Sequence, residues 1–133
     1  MIGRRAPARA CHGSAATQEP DPSGLTAFCP VYQRAIELIG QRWNGAIVRA
    51  LLSGATRYSE VEAAIPGLSH RMLSGRLRHL EEEGIVRRDV FPETPVRVEY
   101  RLTEKGRDLA DVLAAVSAWA SRWAAAEGIA EHA

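Results

Sequence analysis

Between Ser59 and Leu102 the hydrophobic period changes once, from helical to extended, and that order leaves few folds open. Ser59 and Glu62 have the S-x-x-E spacing of a capping box, which starts a helix. Pro66-Gly67 is a turn signal that stops it. Ser69 caps a second, longer helix, which runs to about Glu83 and ends at Gly84. A short helix, a tight turn and a longer helix make the helix-turn-helix layout. A strand at Ile85–Val90 and a loop at Pro92-Glu93-Thr94-Pro95 come next. Val96, Val98, Tyr100 and Leu102 then alternate with Arg97, Glu99 and Arg101 in a strand of period two. The pair reads as a β-hairpin.

The flanks are helical. Cys29-Pro30 is a start signal, since proline at the first helical position loses no hydrogen bond. The helix it opens stops at Gly40 and carries two apolar stripes, Val31, Ala35, Leu38 and Tyr32, Ile36, Ile39. A second helix covers about Trp43 to Leu52, with Trp43, Ile47 and Leu51 on one face. Thr103 caps a long final helix to about residue 126, lined by Leu109, Val112, Leu113, Val116, Trp119, Ala120 and Trp123. The fold class is therefore mainly α with a small hairpin wing, a winged helix-turn-helix. Residues 1–28, rich in Ala, Gly, Pro and Ser without apolar periodicity, read as a disordered tail. Residues 29–133 read as the winged-helix domain, its long C-terminal helix at about 103–126. For 133 residues, 46% hydrophobic and 25% charged, a core needs no disulfide or metal staples.

Other function classes fall away. Arg4-Arg5 is not followed by an apolar run, so no signal peptide is expected, and no stretch is long enough to span a membrane. Two cysteines, Cys11 and Cys29, make no disulfide framework, and a cytoplasmic setting is expected. The four histidines form no metal spacing with the cysteines, and there is no phosphate loop or nucleophile elbow. No enzyme, metal or cofactor is expected. Net charge is +1, but the charge is unevenly placed. Ser69–Leu80 holds three arginines, two histidines and no acid, whereas residues 106–133 hold two arginines against four acids.

Residues 29–126 resemble the HxlR-type transcriptional regulators of bacteria, within the wider MarR-like group. The resemblance rests on Cys29-Pro30, Ile39-Gly40-Gln41-Arg42-Trp43, Arg57-Tyr58-Ser59-Glu60-Val61 and Ile65-Pro66-Gly67-Leu68-Ser69. It continues through Met72-Leu73, Leu77, Leu80-Glu81, Gly84-Ile85-Val86-Arg87-Arg88 and Val96–Thr103. It implies a dimeric DNA-binding repressor or activator, a repressor being expected, with an oxidant, an electrophile or a small ligand as effector. It further implies that Cys29 is the sensor in redox-responsive members.

On the longer helix of the motif, Leu73, Leu77 and Leu80 share the core face. Arg71, Ser74, Gly75 and Arg78 share another, free of acids. Ser69, His70 and Arg71 start the helix, and that end of a recognition helix meets the bases, where arginine can grip a guanine edge. Arg42, Arg57 and Ser59 are candidate phosphate contacts, each equally readable as a surface residue or cap. Arg97 suits a minor groove, or a cross-strand ion pair. Trp119 and Trp123 would leave an apolar patch unless a second copy covers them, with Val112, Val116, Val31, Tyr32 and Ala35 in the same interface. A homodimer would read a palindromic operator. At an N-cap, Cys29 can be a reactive thiolate or a small packing residue. Cys11 can be its resolving partner or incidental. The rival reading is a winged helix for protein interaction or ligand capture that reads no DNA.

Overall fold

Pro30 opens the first helix, α1 (Pro30–Gly40), with Cys29 at its N-cap in extended conformation. The computed structural model describes residues 28–128, so the reading of residues 1–27 as a disordered tail lies outside it. The described residues fall into two compact units, one ending at Gln41 and the other starting at Arg42. The first contributes α1, which buries none of its own residues.

The second unit holds α2 (Asn44–Leu52), α3 (Tyr58–Ala64), α4 (His70–Glu82), β1 (Val86–Phe91), β2 (Arg97–Leu102), α5 (Glu104–Arg107) and α6 (Leu109–Ala126). It is a winged helix. β1 and β2 pair antiparallel, in a register that sets Val86 opposite Leu102, Arg88 opposite Tyr100 and Phe91 opposite Arg97. Its core is built from Ile47 and Val48 of α2, Val61 of α3, Leu73, Leu77 and Leu80 of α4, and Ile85, Val86 and Leu102 at the wing base. The helical spacing of the three α4 leucines puts them on one face, and burying each contributes about 1.5–3 kcal/mol.

Several boundaries depart from the sequence reading. Trp43 lies outside α2, as its N-cap, with φ of 78° in the left-handed region. Such a conformation in a non-glycine residue persists only where its surroundings impose it. Here the Arg42 guanidinium sits 4.8 Å over the Trp43 ring, and the ring edge packs against Gly67 in the turn before α4. Gly67 itself has φ of 86°.

The capping box expected at Ser59 and Glu62 is not the one that forms. α3 begins one residue earlier, and the Glu60 carboxylate accepts from the backbone N–H groups of Thr56 (2.8 Å) and Arg57 (2.9 Å). A charged acceptor taking two backbone donors outcompetes a hydroxyl. The final helix comes in two pieces. Thr103 caps it as expected, its hydroxyl accepting from Gly106 N–H at 3.1 Å. The first turn, α5, is then fastened to the hairpin by Arg107, which donates to the Leu102 carbonyl at 2.8 Å. The chain turns at Asp108 before α6, which packs against α2.

Candidate nucleic-acid interface

α4 starts cleanly. The Ser69 hydroxyl accepts from Met72 N–H at 3.0 Å, which satisfies one donor that the first helical turn leaves unpaired. With the leucines turned to the core, Arg71, Gly75 and Arg78 are left exposed on the outer face. Arg71 and Arg78 carry no ion pair among the described residues. A Cβ at Gly75 would meet nothing within 4 Å, so glycine there keeps the face low and is not forced by packing.

Two residues expected on that face are already engaged. The His70 ring packs at 4.9 Å on Tyr58, tilted by 52°, and its Nδ1 lies 3.7 Å from a Glu62 oxygen. The half-buried Ser74 hydroxyl lies 2.9 Å from the Tyr58 hydroxyl. Tyr58 therefore ties α3 to the start of α4, a role with no signature in the sequence.

The proposed phosphate contacts are spread around the helix. Ser59 is exposed in the first turn of α3, and Arg57 is exposed at its N-cap. The two backbone N–H donors, Arg57's above all, hold the Glu60 carboxyl below its ordinary range. Arg42 stacks on Trp43, and its carbonyl accepts from Arg76 Nε at 2.8 Å. That bond anchors α4 to Arg42, the residue preceding the strained Trp43, and sequence reasoning gave Arg76 no role.

The wing has two unlike faces. On one, Arg87 pairs with Asp89 at 3.0 Å. On the same face Glu99 is 7% exposed, buried between Arg97 and Arg101, with the Arg101 nitrogen at 2.6 Å. Arg97 bonds to both Glu99 and Glu93, the latter at 2.9 Å, and its guanidinium lies 4.0 Å over the Phe91 ring. The residue expected to reach a minor groove is thus held by two carboxylates and an aromatic face. Glu93 holds the Arg97 guanidinium above its ordinary value, with Glu99 adding to the effect. Glu99 is pulled down by Arg101 first and then Arg97, and Glu93 by Arg97. The strict alternation in β2 predicts these charges at the surface, yet the burial of Glu99 depends on both neighbours being arginine.

The family model for HxlR-like helix-turn-helix proteins matches residues 38–128. The chain belongs to this family. The HTH-type transcriptional regulator YvaP of Bacillus subtilis (strain 168) is 54% identical over 96 residues, 72% of this chain and 89% of YvaP. The reduced form of the B. subtilis regulator YodB superposes with a TM-score of 0.66 at 46% identity, covering 72% of this chain and 94% of YodB. YodB is also known in diamide-treated and quinone-bound forms. The redox regulator HypR in its oxidised form gives a TM-score of 0.65 at 36% identity, covering 71% of this chain and 96% of HypR. The HxlR-like chain thus groups with transcriptional regulators and not with enzymes.

Two further groups of expected residues lie elsewhere on this HxlR-like chain. Cys29 is 6% exposed, and its Sγ accepts from Tyr32 N–H at 3.4 Å. The chain's other cysteine, Cys11, lies outside the described residues. On α6 only Leu113 is buried, while Val112, Val116, Trp119 and Trp123 stand exposed along one stripe. On α1, Val31 and Tyr32 are exposed and Ala35 is too. Among the described residues no helix is long and apolar enough to cross a membrane.

Proposed function

We propose that this HxlR-like regulator acts in the cytoplasm as a homodimeric repressor, seating α4 in the major groove of a palindromic operator. The observation that carries the DNA reading is the outer face of α4, where two unpaired arginines, Arg71 and Arg78, flank the low surface of Gly75. Arg71, in the first turn, is the base reader. Arg57, Ser59 and Arg42 surround the helix as phosphate contacts. The exposed stripe of α6 pairs with α6 and α1 of a second copy, which sets two copies of α4 about 34–36 Å apart or a multiple of that.

Cys29 is proposed as the switch. Its position at a helix N-cap, beside backbone N–H groups and the positive end of the helix dipole, favours the thiolate. One relative, YodB, known in reduced, diamide-treated and quinone-bound forms, supports the same reading.

The test is binding of the pre-reduced, full-length protein to labelled DNA from its own upstream region at fixed salt. It is run with and without diamide, and repeated with Cys29→Ser. Specific binding that diamide abolishes only when Cys29 is present establishes the switch. Binding indifferent to diamide keeps the regulator and removes the switch. Absence of binding to that DNA and to sites selected from a random pool leaves the protein-interaction reading in its place.

A further inference from the structure

We propose that the wing meets DNA through Arg88 and not through Arg97, and that Arg88 and Arg78 together clasp one backbone phosphate across the groove between α4 and the wing. This inference rests on the DNA-binding reading and names a contact within it. It starts from the hairpin register. Val86 and Leu102 form the buried rung at the wing base, and Arg88 opposite Tyr100 is the next rung on the same face. That face looks onto α4. Ser74, Leu77, Arg78 and Glu81 of α4 and Arg88 and Tyr100 of the wing line one groove of about 310 Å³.

The charges divide in the same way. The opposite face of the hairpin spends its arginines internally, Arg87 on Asp89, and Arg97 and Arg101 on Glu99, with Glu93 taking a second hold of Arg97. Arg88 and Arg78 have no ion pair among the described residues. Two uncompensated guanidinium groups facing one groove repel each other, and an anion between them relieves that repulsion. The groove offers one further polar group able to donate to an anion, the Tyr100 hydroxyl. Its one acid, Glu81, is exposed near the C-terminal end of α4, where it leaves the pair of arginines a net positive charge. An arginine fork matches a phosphate, and a phosphodiester passing between recognition helix and wing is the anion that α4 in a major groove would bring there.

The experiment measures affinity for a random-sequence duplex of about 30 base pairs between about 50 and 200 mM salt, where phosphate contacts dominate. Wild type is compared with Arg88→Ala, Arg88→Lys, Arg97→Ala, Glu81→Gln and the charge control Arg122→Ala, each first shown to be folded by circular dichroism. Arg88→Ala is expected to lower the slope of log K against log salt by about 1 and to weaken binding at low salt at least about threefold, equally on all sequences. Arg88→Lys is expected to restore the slope, and Glu81→Gln to tighten binding. Arg122→Ala, on α6, removes the same charge and is expected to leave the slope unchanged. An unchanged slope in Arg88→Ala, or a lowered one in Arg97→Ala instead, overturns the inference while wild-type binding keeps the DNA reading. If wild type binds neither this duplex nor any selected site, both fall.

Discussion

The Tyr58 hydroxyl lies 2.9 Å from the Ser74 hydroxyl, and it donates its proton to the His70 carbonyl at 2.7 Å. A phenol has one proton to give, so Ser74 is the donor in the bond between them. Ser74 therefore faces outward as an acceptor only, suited to an amino group on adenine or cytosine. Tyr58→Phe should release the Ser74 proton. We expect a loss of about 0.5–1.5 kcal/mol in stability by urea titration. In a selection from random duplexes, base preference opposite Ser74 should broaden to include acceptors. An unchanged preference would remove Ser74 from the readout.

Arg71 is different in kind, since no ion pair among the described residues holds it. Arg71→Ala should cost about 1–3 kcal/mol on a selected operator and relax preference at one base position per half-site. Affinity for non-specific DNA should fall far less. Equal losses on specific and non-specific duplexes would make Arg71 a phosphate contact.

These two residues show how far the sequence carries. The three leucines of α4 and its cap at Ser69 could be placed from spacing alone, because local periodicity and a short polar side chain decide them. So could the exposure of Arg71 and Arg78. The engagement of Ser74 and His70 could not, because Tyr58 approaches from another helix. Glu60 was within reach, as a glutamate three residues past a candidate N-cap at Arg57, but the serine beside it was the stronger conventional signal. The two-faced wing was half legible. Alternation gave the rungs, while the pairing of Arg97 with Glu93 depends on how the loop closes.

Gly106 is a packing necessity that composition does not reveal. A Cβ there would run into the Ile85 carbonyl oxygen and come within 3.0 Å of Leu102 Cδ2. The same carbonyl accepts from Thr103 N–H at 3.0 Å, so it cannot retreat without loosening the junction between wing and α5. Gly106→Ala should destabilise by about 1–3 kcal/mol, the cost of overpacking a filled site. A denaturation midpoint equal to wild type would show that the junction yields freely.

Acid should loosen the wing and the start of α3. Glu60, Glu93 and Glu99 all lie below the ordinary glutamate value of 4.5, held there by backbone N–H donors or arginines. A carboxylate with a depressed pKa stabilises the fold in full above its unfolded value and loses that contribution as pH falls through the folded one. Urea midpoints should therefore be level near neutrality and fall as pH drops below 4.5. Glu99→Gln should lower the neutral midpoint and flatten the acid limb, because its contribution is then absent throughout. An acid limb as steep as wild type would place the pH dependence elsewhere.

Trp119 and Trp123 test the assembly on which two-fold operator reading depends. They stand on one side of α6 with 60% and 49% of their surface exposed. Val112 and Val116 extend the stripe toward the start of the helix. So much aromatic surface on one face is what interface centres are made of. Trp119→Glu places a charge at the middle of that stripe, on a side chain that is mostly exposed, so the monomer's fold should survive. Sedimentation should show wild type as a dimer and Trp119→Glu as a folded monomer by circular dichroism. Operator affinity should fall steeply, because each half-site must then be bound alone, whereas non-specific binding per α4 should persist. A variant that remains dimeric would move the interface off α6, and a monomeric wild type that binds its operator tightly would remove the need for a palindrome.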